Sequence, residues 1–329
     1  MMQLDARLTA AAYCAPPSAR YASIAIELIA RADKAPVDIF VAPEQAAPPK
    51  LYCRTGLSLD HEQLMSLADI GIRDFYVRHG DVRKLGEYLR EAYLNGRRTV
   101  TVAEQFSAMQ VVVSAEIEHA VRLLDCSKFV SLAATVGRDI AALISSRNVL
   151  PYEIFSVARH DFSTFVHVTN VASYSVLLAK RLGINDIRQL ELLASAAMLH
   201  DLGKRHIPAK ILSKSGRLTT TERELVEMHP TRGYIELCSR PDLTFEQLMV
   251  VYQHHERIDG TGYPVGITGK HISPWAKLIA VVDVFDALTG ERPYREPITP
   301  QQAIGYLLRN AGTHFDAEIV QCWEAAFTE

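Results

Sequence analysis

One run of the chain, Leu190 to Leu199, is hydrophobic almost all round at helical length and ends on His200-Asp201-Leu202-Gly203-Lys204. A helix without a polar face is a buried one. The His-Asp pair therefore enters the interior, where a carboxylate is costly unless it is paired, hydrogen-bonded or bound to a metal. If that helix runs on, Lys204 shares the face of His200 and Asp201. A second buried-helix pattern, Trp275 to Leu288, is interrupted by Asp283 and Asp286, and acids at that spacing look onto a common polar neighbour.

The rest of the pattern predicts two kinds of texture. From residue 151 onward the chain reads as helical: 162–183 with His167, then 186–201 after the break Gly183-Ile184-Asn185. Thr219 to Glu222 forms a capped start leading to His229-Pro230, and Thr299-Pro300-Gln301-Gln302 combines an N-cap, a first-turn proline and a capping-box glutamine. Upstream, helices are predicted over 21–32, 60–70 and 81–94, and strands over 37–41, 50–54 and 74–78. Between the two lie helical stripes through Phe106, Met109, Val113, Ile117, Ala120 and Leu124, and through Phe129, Leu132, Val136, Ile140 and Leu143. The heptads are too few for a sustained coiled coil, which favours core helices over a dimer seam. The expected organisation is mainly α: a small α/β module over 1–98 with a sensing or docking role, a helical connector over 99–150, and an all-helical domain over 151–329.

Composition narrows the class. The chain has 329 residues, 48% of them hydrophobic, and a formal charge of -3, which suits two domains with a sizeable core and gives no field for a nucleic-acid polymer. Its five cysteines are odd in number, scattered and without CxxC spacing, so neither a disulfide framework nor a zinc ribbon is expected, and a reducing cytoplasm fits. No uninterrupted run approaches the ~18 apolar residues of a membrane span. The first residues lack the apolar core of a signal peptide.

The candidate chemistry rests on His167, His200, Asp201, His229, His254, His255 and Asp283. Imidazoles and carboxylates without thiolates suit iron, manganese, zinc or nickel better than calcium or a structural zinc. Seven ligands exceed one ion and suffice for two if a carboxylate bridges. His160-Asp161 lies in a polar stretch at a helix entrance, so Asp161 reads as an N-cap. Cys53, His61 and His79 read as ordinary structural or surface residues. After His254-His255 comes a loop, Glu256 to Pro264, whose glycines permit close backbone approach and whose Tyr263 is restrained by the following proline.

Taken in order, His167, His200-Asp201-Leu202-Gly203-Lys204, His229-Pro230, His254-His255-Glu256-Arg257, Asp259-Gly260-Thr261-Gly262-Tyr263-Pro264, Asp283 to Thr289 and Arg292-Pro293-Tyr294-Arg295 strongly resemble the HD-GYP family. Its members are bacterial HD-superfamily phosphodiesterases that hydrolyse cyclic di-GMP. The resemblance runs from about residue 151 to near the C-terminus and leaves the first module outside. It implies an HD-type fold in which His167, His200 and Asp283 hold one divalent ion and His229, His254 and His255 the other. Asp201 would bridge them, with a hydroxide between the ions as nucleophile. Iron is the expected metal and manganese the next. Lys204 would meet the scissile phosphate, and Arg257, Asp259, Gly262, Tyr263, Pro264, Asp286, Arg292 and Arg295 would line the dinucleotide site, arginine suiting both phosphate and guanine. Some members hold a third metal with a glutamate where this chain has Ser163, so two ions are expected.

The expected reaction ends in linear pGpG or GMP. Its rivals are an HD-type phosphohydrolase for another cyclic dinucleotide or nucleotide, and a binding module without turnover. A diguanylate cyclase or other signalling protein, and a second copy of the chain, stand as candidate partners.

Overall fold

The structure, a computed structural model, describes residues 21–30, 32–42, 49–69, 72, 74–94, 101–122, 126–146, 149, 151, 154–155, 164–212, 214, 216–290 and 297–328. His160, Asp161, Ser163, Arg292, Arg295 and Leu124 lie outside the described residues, as do the side chains of His61, His79, Ile117 and Ala120. The chain divides into two compact units, residues 14–124 and residues 125–329. The expected connector is thus shared: its first helix falls in the N-terminal unit and its second in the helical one.

The N-terminal unit is built on a four-stranded antiparallel sheet of β1 (Tyr21–Ala25), β2 (Ile39–Val41), β3 (Lys50–Cys53) and β4 (Asp74–Arg78), in the order β1-β4-β2-β3. Its helices are α1 (Ile26–Ala30), α2 (His61–Asp69), α3 (Val82–Leu89) and α4 (Val102–Arg122). The helix expected over 21–32 begins only at Ile26, because Tyr21–Ala25 pairs residue for residue with Arg78–Asp74. That ladder joins segments some fifty residues apart, which local periodicity does not register. The core gathers Ile24, Phe75 and Val77 from the sheet, Leu85 and Leu89 from α3, and Ala108 and Val112 from α4.

The helical unit consists of α5 (Cys126–Ser146), α6 (Thr164–Arg181), α7 (Ile187–Leu199), α8 (Ala209–Leu212), α9 (Thr220–Glu227), α10 (His229–Leu237), α11 (Phe245–Gln253), α12 (Pro274–Thr289), α13 (Pro300–Arg309) and α14 (Ala317–Thr328). Helix α5 is long and apolar enough by composition to cross a bilayer. Its stripe Phe129, Leu132, Val136 and Ile140 is buried, and it packs on α6 and α7. Gly137 makes that contact close, since a Cβ there would lie 2.8 Å from the Ser195 backbone nitrogen.

Capping chemistry sets the helix ends. Asp186 caps α7 by accepting from Gln189 N, and full capping boxes open α9 (Thr219, Glu222), α11 (Thr244, Gln247) and α13 (Thr299, Gln302). Phe285 of α12 meets Tyr174 of α6 and Trp323 of α14 edge-on, with ring centroids 5.6 and 5.3 Å away. Burying each such ring contributes about 1.5–3 kcal/mol, so these three helices form a firm wall behind the candidate site.

Candidate metal centre

Five elements converge on one buried cluster. Helix α6 supplies His167, the end of α7 His200 and Asp201, the start of α10 His229, the end of α11 His254 and His255, and the middle of α12 Asp283. Helix α7 does not run on to Lys204. It stops at Leu199, Asp201 leaves helical geometry at φ -96° and ψ 4°, and a 3-10 turn over Leu202–His206 follows.

The ligand atoms fall into two groups, His167 with His200 and Asp283, and His229 with His254, His255 and Asp201. In the first, His167 Nε2 lies 3.2 Å from Asp283 Oδ1, and His200 Nε2 lies 3.9 Å from the same oxygen. Asp201 faces both groups. Its Oδ2 is 3.4 Å from His200 Nε2 and 3.8 Å from His167 Nε2, while its Oδ1 is 3.3 Å from His229 Nε2 and 3.9 Å from His254 Nε2.

The Nδ1 partners determine the tautomers. His200 Nδ1 donates to Ala197 O at 2.6 Å, His229 Nδ1 to Val226 O at 2.8 Å, and His254 Nδ1 to Val250 O and Val251 O at 3.1 Å each. A carbonyl has no proton to give, so each Nδ1 holds the hydrogen and each ring turns its Nε2, the nitrogen able to offer a lone pair to a cation, inward. His229 Nε2 and His254 Nε2 then oppose one another at 3.1 Å. With both rings neutral, two lone pairs at that distance repel unless a cation sits between them. His200 Nε2 and Asp201 Oδ1 are buried with no hydrogen-bond partner. An inward lone-pair set with orphaned buried acceptors fits divalent cations, and these residues would hold them.

Electrostatics divides the two groups. Burial pushes Asp201 up, but the Lys204 ammonium and the neighbouring imidazoles outweigh it and hold the carboxyl well below the usual range. Asp283 is lowered in the same way, burial being overcome by its hydrogen bond and charge pairing with His167. Burial lowers His167, but bonds to Asp283 and Asp286 reverse this and raise it to about 9. Burial, reinforced by neighbouring imidazoles, drives His254 well down and His255 to about 3.

Other expected residues take varied places. Lys204 reaches Asp201 Oδ2 at 2.5 Å through the 3-10 turn, and its side chain is 31% exposed. Tyr263 N donates to His255 O at 3.2 Å and its ring lies 4.8 Å from that imidazole, with Pro264 following across a cis peptide bond. A Cβ on Gly262 would lie 2.4 Å from Arg257 N, so only glycine lets the loop rest on that strand of chain. Asp259 accepts from Thr261 N and Oγ1 at 2.9 and 2.7 Å and closes the loop's first turn, while Arg257 is exposed.

Asp286 departs from the expected substrate contact. It is buried, its Oδ2 accepts from His167 Nδ1 at 2.7 Å and its Oδ1 from Asn170 Nδ2 at 2.9 Å. One oxygen thus orients His167 and the other is held by Asn170. Asn170 and Glu256 were not anticipated. Asn170 stands one turn after His167 on an apolar helix, the sign that would have found it.

The HD domain family matches residues 139–319, more than half of the chain. The chain belongs to this family and, within it, to the HD-GYP group. It is 33% identical over 242 residues to "Cyclic di-GMP phosphodiesterase PA4108" of Pseudomonas aeruginosa, covering 73% of this chain and 54% of that protein. It is 38% identical over 153 residues to "3'3'-cGAMP-specific phosphodiesterase 3" of Vibrio cholerae, covering 46% of this chain and 33% of that protein. The chain thus spans about half the length, or less, of these relatives. A solved structure, Bd1817, "a HDG"Y"P protein" from Bdellovibrio bacteriovorus, superposes with a TM-score of 0.68 at 21% identity, covering 94% of this chain and 100% of that one, and shares the fold.

Proposed function

We propose that this chain is a metal-dependent cyclic di-GMP phosphodiesterase, ending in linear pGpG or GMP, with iron or manganese as its ions. The observation that supports it is the Asp201 carboxylate, whose two oxygens face two separate histidine groups, a bridging arrangement. Two bound divalent ions lower the pKa of water and neutralise charge building on phosphorus. His167, His200 and Asp283 would hold one, His229, His254 and His255 the other.

The chain's own residues then account for recognition. Lys204 presents a partly solvent-open ammonium beside Asp201, placed to meet a phosphate once that carboxylate has other partners. Tyr263 shields His255 and offers an aromatic face at the rim of the same group. Arg257 and the segment around Arg292 and Arg295 would face the remaining phosphate and the guanines. The cGAMP specificity named for a 38% identical relative favours a second reading, a different cyclic dinucleotide in the same site.

Protein purified without oxygen and loaded with ferrous or manganous ion, then given each dinucleotide separately, tests both by chromatography of the products. Cleavage of cyclic di-GMP at the higher rate supports the first reading and faster cleavage of 3'3'-cGAMP the second. No cleavage of either overturns both.

A further inference from the structure

Glu256 follows His254 and His255 directly, and it is a carboxylate only 2% exposed. Its oxygens are taken by three successive backbone amides of the loop that Tyr263 belongs to. Val265 N donates to Oε1 at 2.8 Å, Gly266 N to Oε1 at 3.1 Å and Oε2 at 3.0 Å, and Ile267 N to Oε2 at 3.1 Å. Three consecutive N–H groups converge on this anion outside any helix because the backbone turns through a left-handed residue, and Gly266 provides it at φ +77°.

The segment 254–256 therefore does two jobs at once. Two of its side chains enter the second ligand group, and the third grips the loop whose Tyr263 lies against one of them. The grip holds the loop to the same short stretch of chain that holds His254 and His255, so loop and ligand group keep a common frame.

We propose that Glu256 is a positioning residue: its carboxylate, clamped by the amides of Val265, Gly266 and Ile267, sets where Tyr263 and the adjoining loop stand over the second ligand group, and so governs substrate binding rather than metal retention. This rests on the phosphodiesterase reading for its functional half only. The amide carbonyl oxygen of glutamine replaces one acceptor and its NH2 faces amides that need one, so Glu256→Gln breaks the grip at constant size. Losing a charge-assisted bond of this kind corresponds to about a tenfold to hundredfold effect.

The experiment is amide hydrogen exchange on wild type and E256Q, with metal content and steady-state kinetics on cyclic di-GMP for both. In wild type the amides of Val265, Gly266 and Ile267 are expected to be protected although they belong to no helix or strand. In E256Q they exchange about ten times faster or more, both ions stay, and KM rises about tenfold while kcat falls less. Free-peptide exchange at these amides in wild type overturns the proposal, and that measurement stands whether or not the variant folds. Loss of metal in E256Q with unchanged loop exchange also overturns it and assigns Glu256 to the metal centre. If wild type does not cleave cyclic di-GMP but the exchange result holds, the substrate reading fails and the loop assignment survives.

Discussion

Gly203 sits in the turn between Asp201 and Lys204, and a methyl group there tests whether the two ligand groups depend on one close backbone contact. A Cβ on Gly203 would lie 1.9 Å from His229 O and 2.7 Å from Gly233 N. Both neighbours are backbone of α10, at its first residue and one turn further on, so no side chain can swing aside. Restoring an ordinary contact needs α10 to move away by about 1.5 Å. On the far side, Gly233 already lies against Val251 of α11, where a Cβ would come within 2.9 Å of Val251 Cγ1, so the displacement has little room. Overpacking of this kind costs about 1–3 kcal/mol. The larger effect is on geometry, because His229 Nε2 is carried from its 3.3 Å approach to Asp201 Oδ1. Gly203→Ala is therefore expected to fold, with a lower thermal midpoint, and to retain about one ion in place of two. Metal analysis with calorimetry checks this. A variant with wild-type stability and full metal content would refute the packing argument.

Lys204→Met should keep both ions but lose most turnover of cyclic di-GMP, by about 2–4 kcal/mol in transition-state stabilisation, read from kcat/KM against metal content; loss of metal, or wild-type turnover, would move the phosphate anchor elsewhere. Metal binding should release a proton from the first group and none from His254 or His255. His167 is raised to about 9 and so is protonated at neutral pH until an ion displaces that proton, whereas His255 is lowered to about 3 and is already neutral. Affinity of the His167 group then rises about tenfold per pH unit until pH passes about 9, which titration calorimetry in buffers of different ionisation enthalpy detects. In the metal-free protein the sign is opposite: the stabilisation from charged His167 is full below about pH 6.5 and is lost as pH rises through about 9.

The candidate site was legible because its ligands interrupt apolar helices. His200-Asp201 and Asp283 stand where a buried helix has no reason to place a polar group, and the structure brings them together with His167, His229, His254 and His255. Asp286 shows where such reading stops. Its spacing from Asp283 showed that both acids look the same way, but which atoms each would meet depends on α6, more than a hundred residues earlier, where His167 and Asn170 occupy both its oxygens. Glu256 was hidden for a different reason, since its partners are backbone amides, which have no residue identity to read. In the N-terminal unit, the segment of β1 reads as helix from its local pattern but is a strand, because its hydrogen bonds go to β4 rather than to its own neighbours. Helix α11 carries its own sequence mark, since Thr244 and Gln247 form the same capping box that opens the helices after Thr219 and Thr299.

The central claim is that one carboxylate organises two ions, and Asp201→Ala tests it most directly. Metal stoichiometry and cyclic di-GMP turnover are measured side by side on wild type and variant, both purified without oxygen, with circular dichroism confirming the helical fold. The account predicts about two ions and hydrolysis in wild type, and in the variant an intact fold, at least one ion lost and no turnover. A folded Asp201→Ala protein holding its full complement of metal would contradict it.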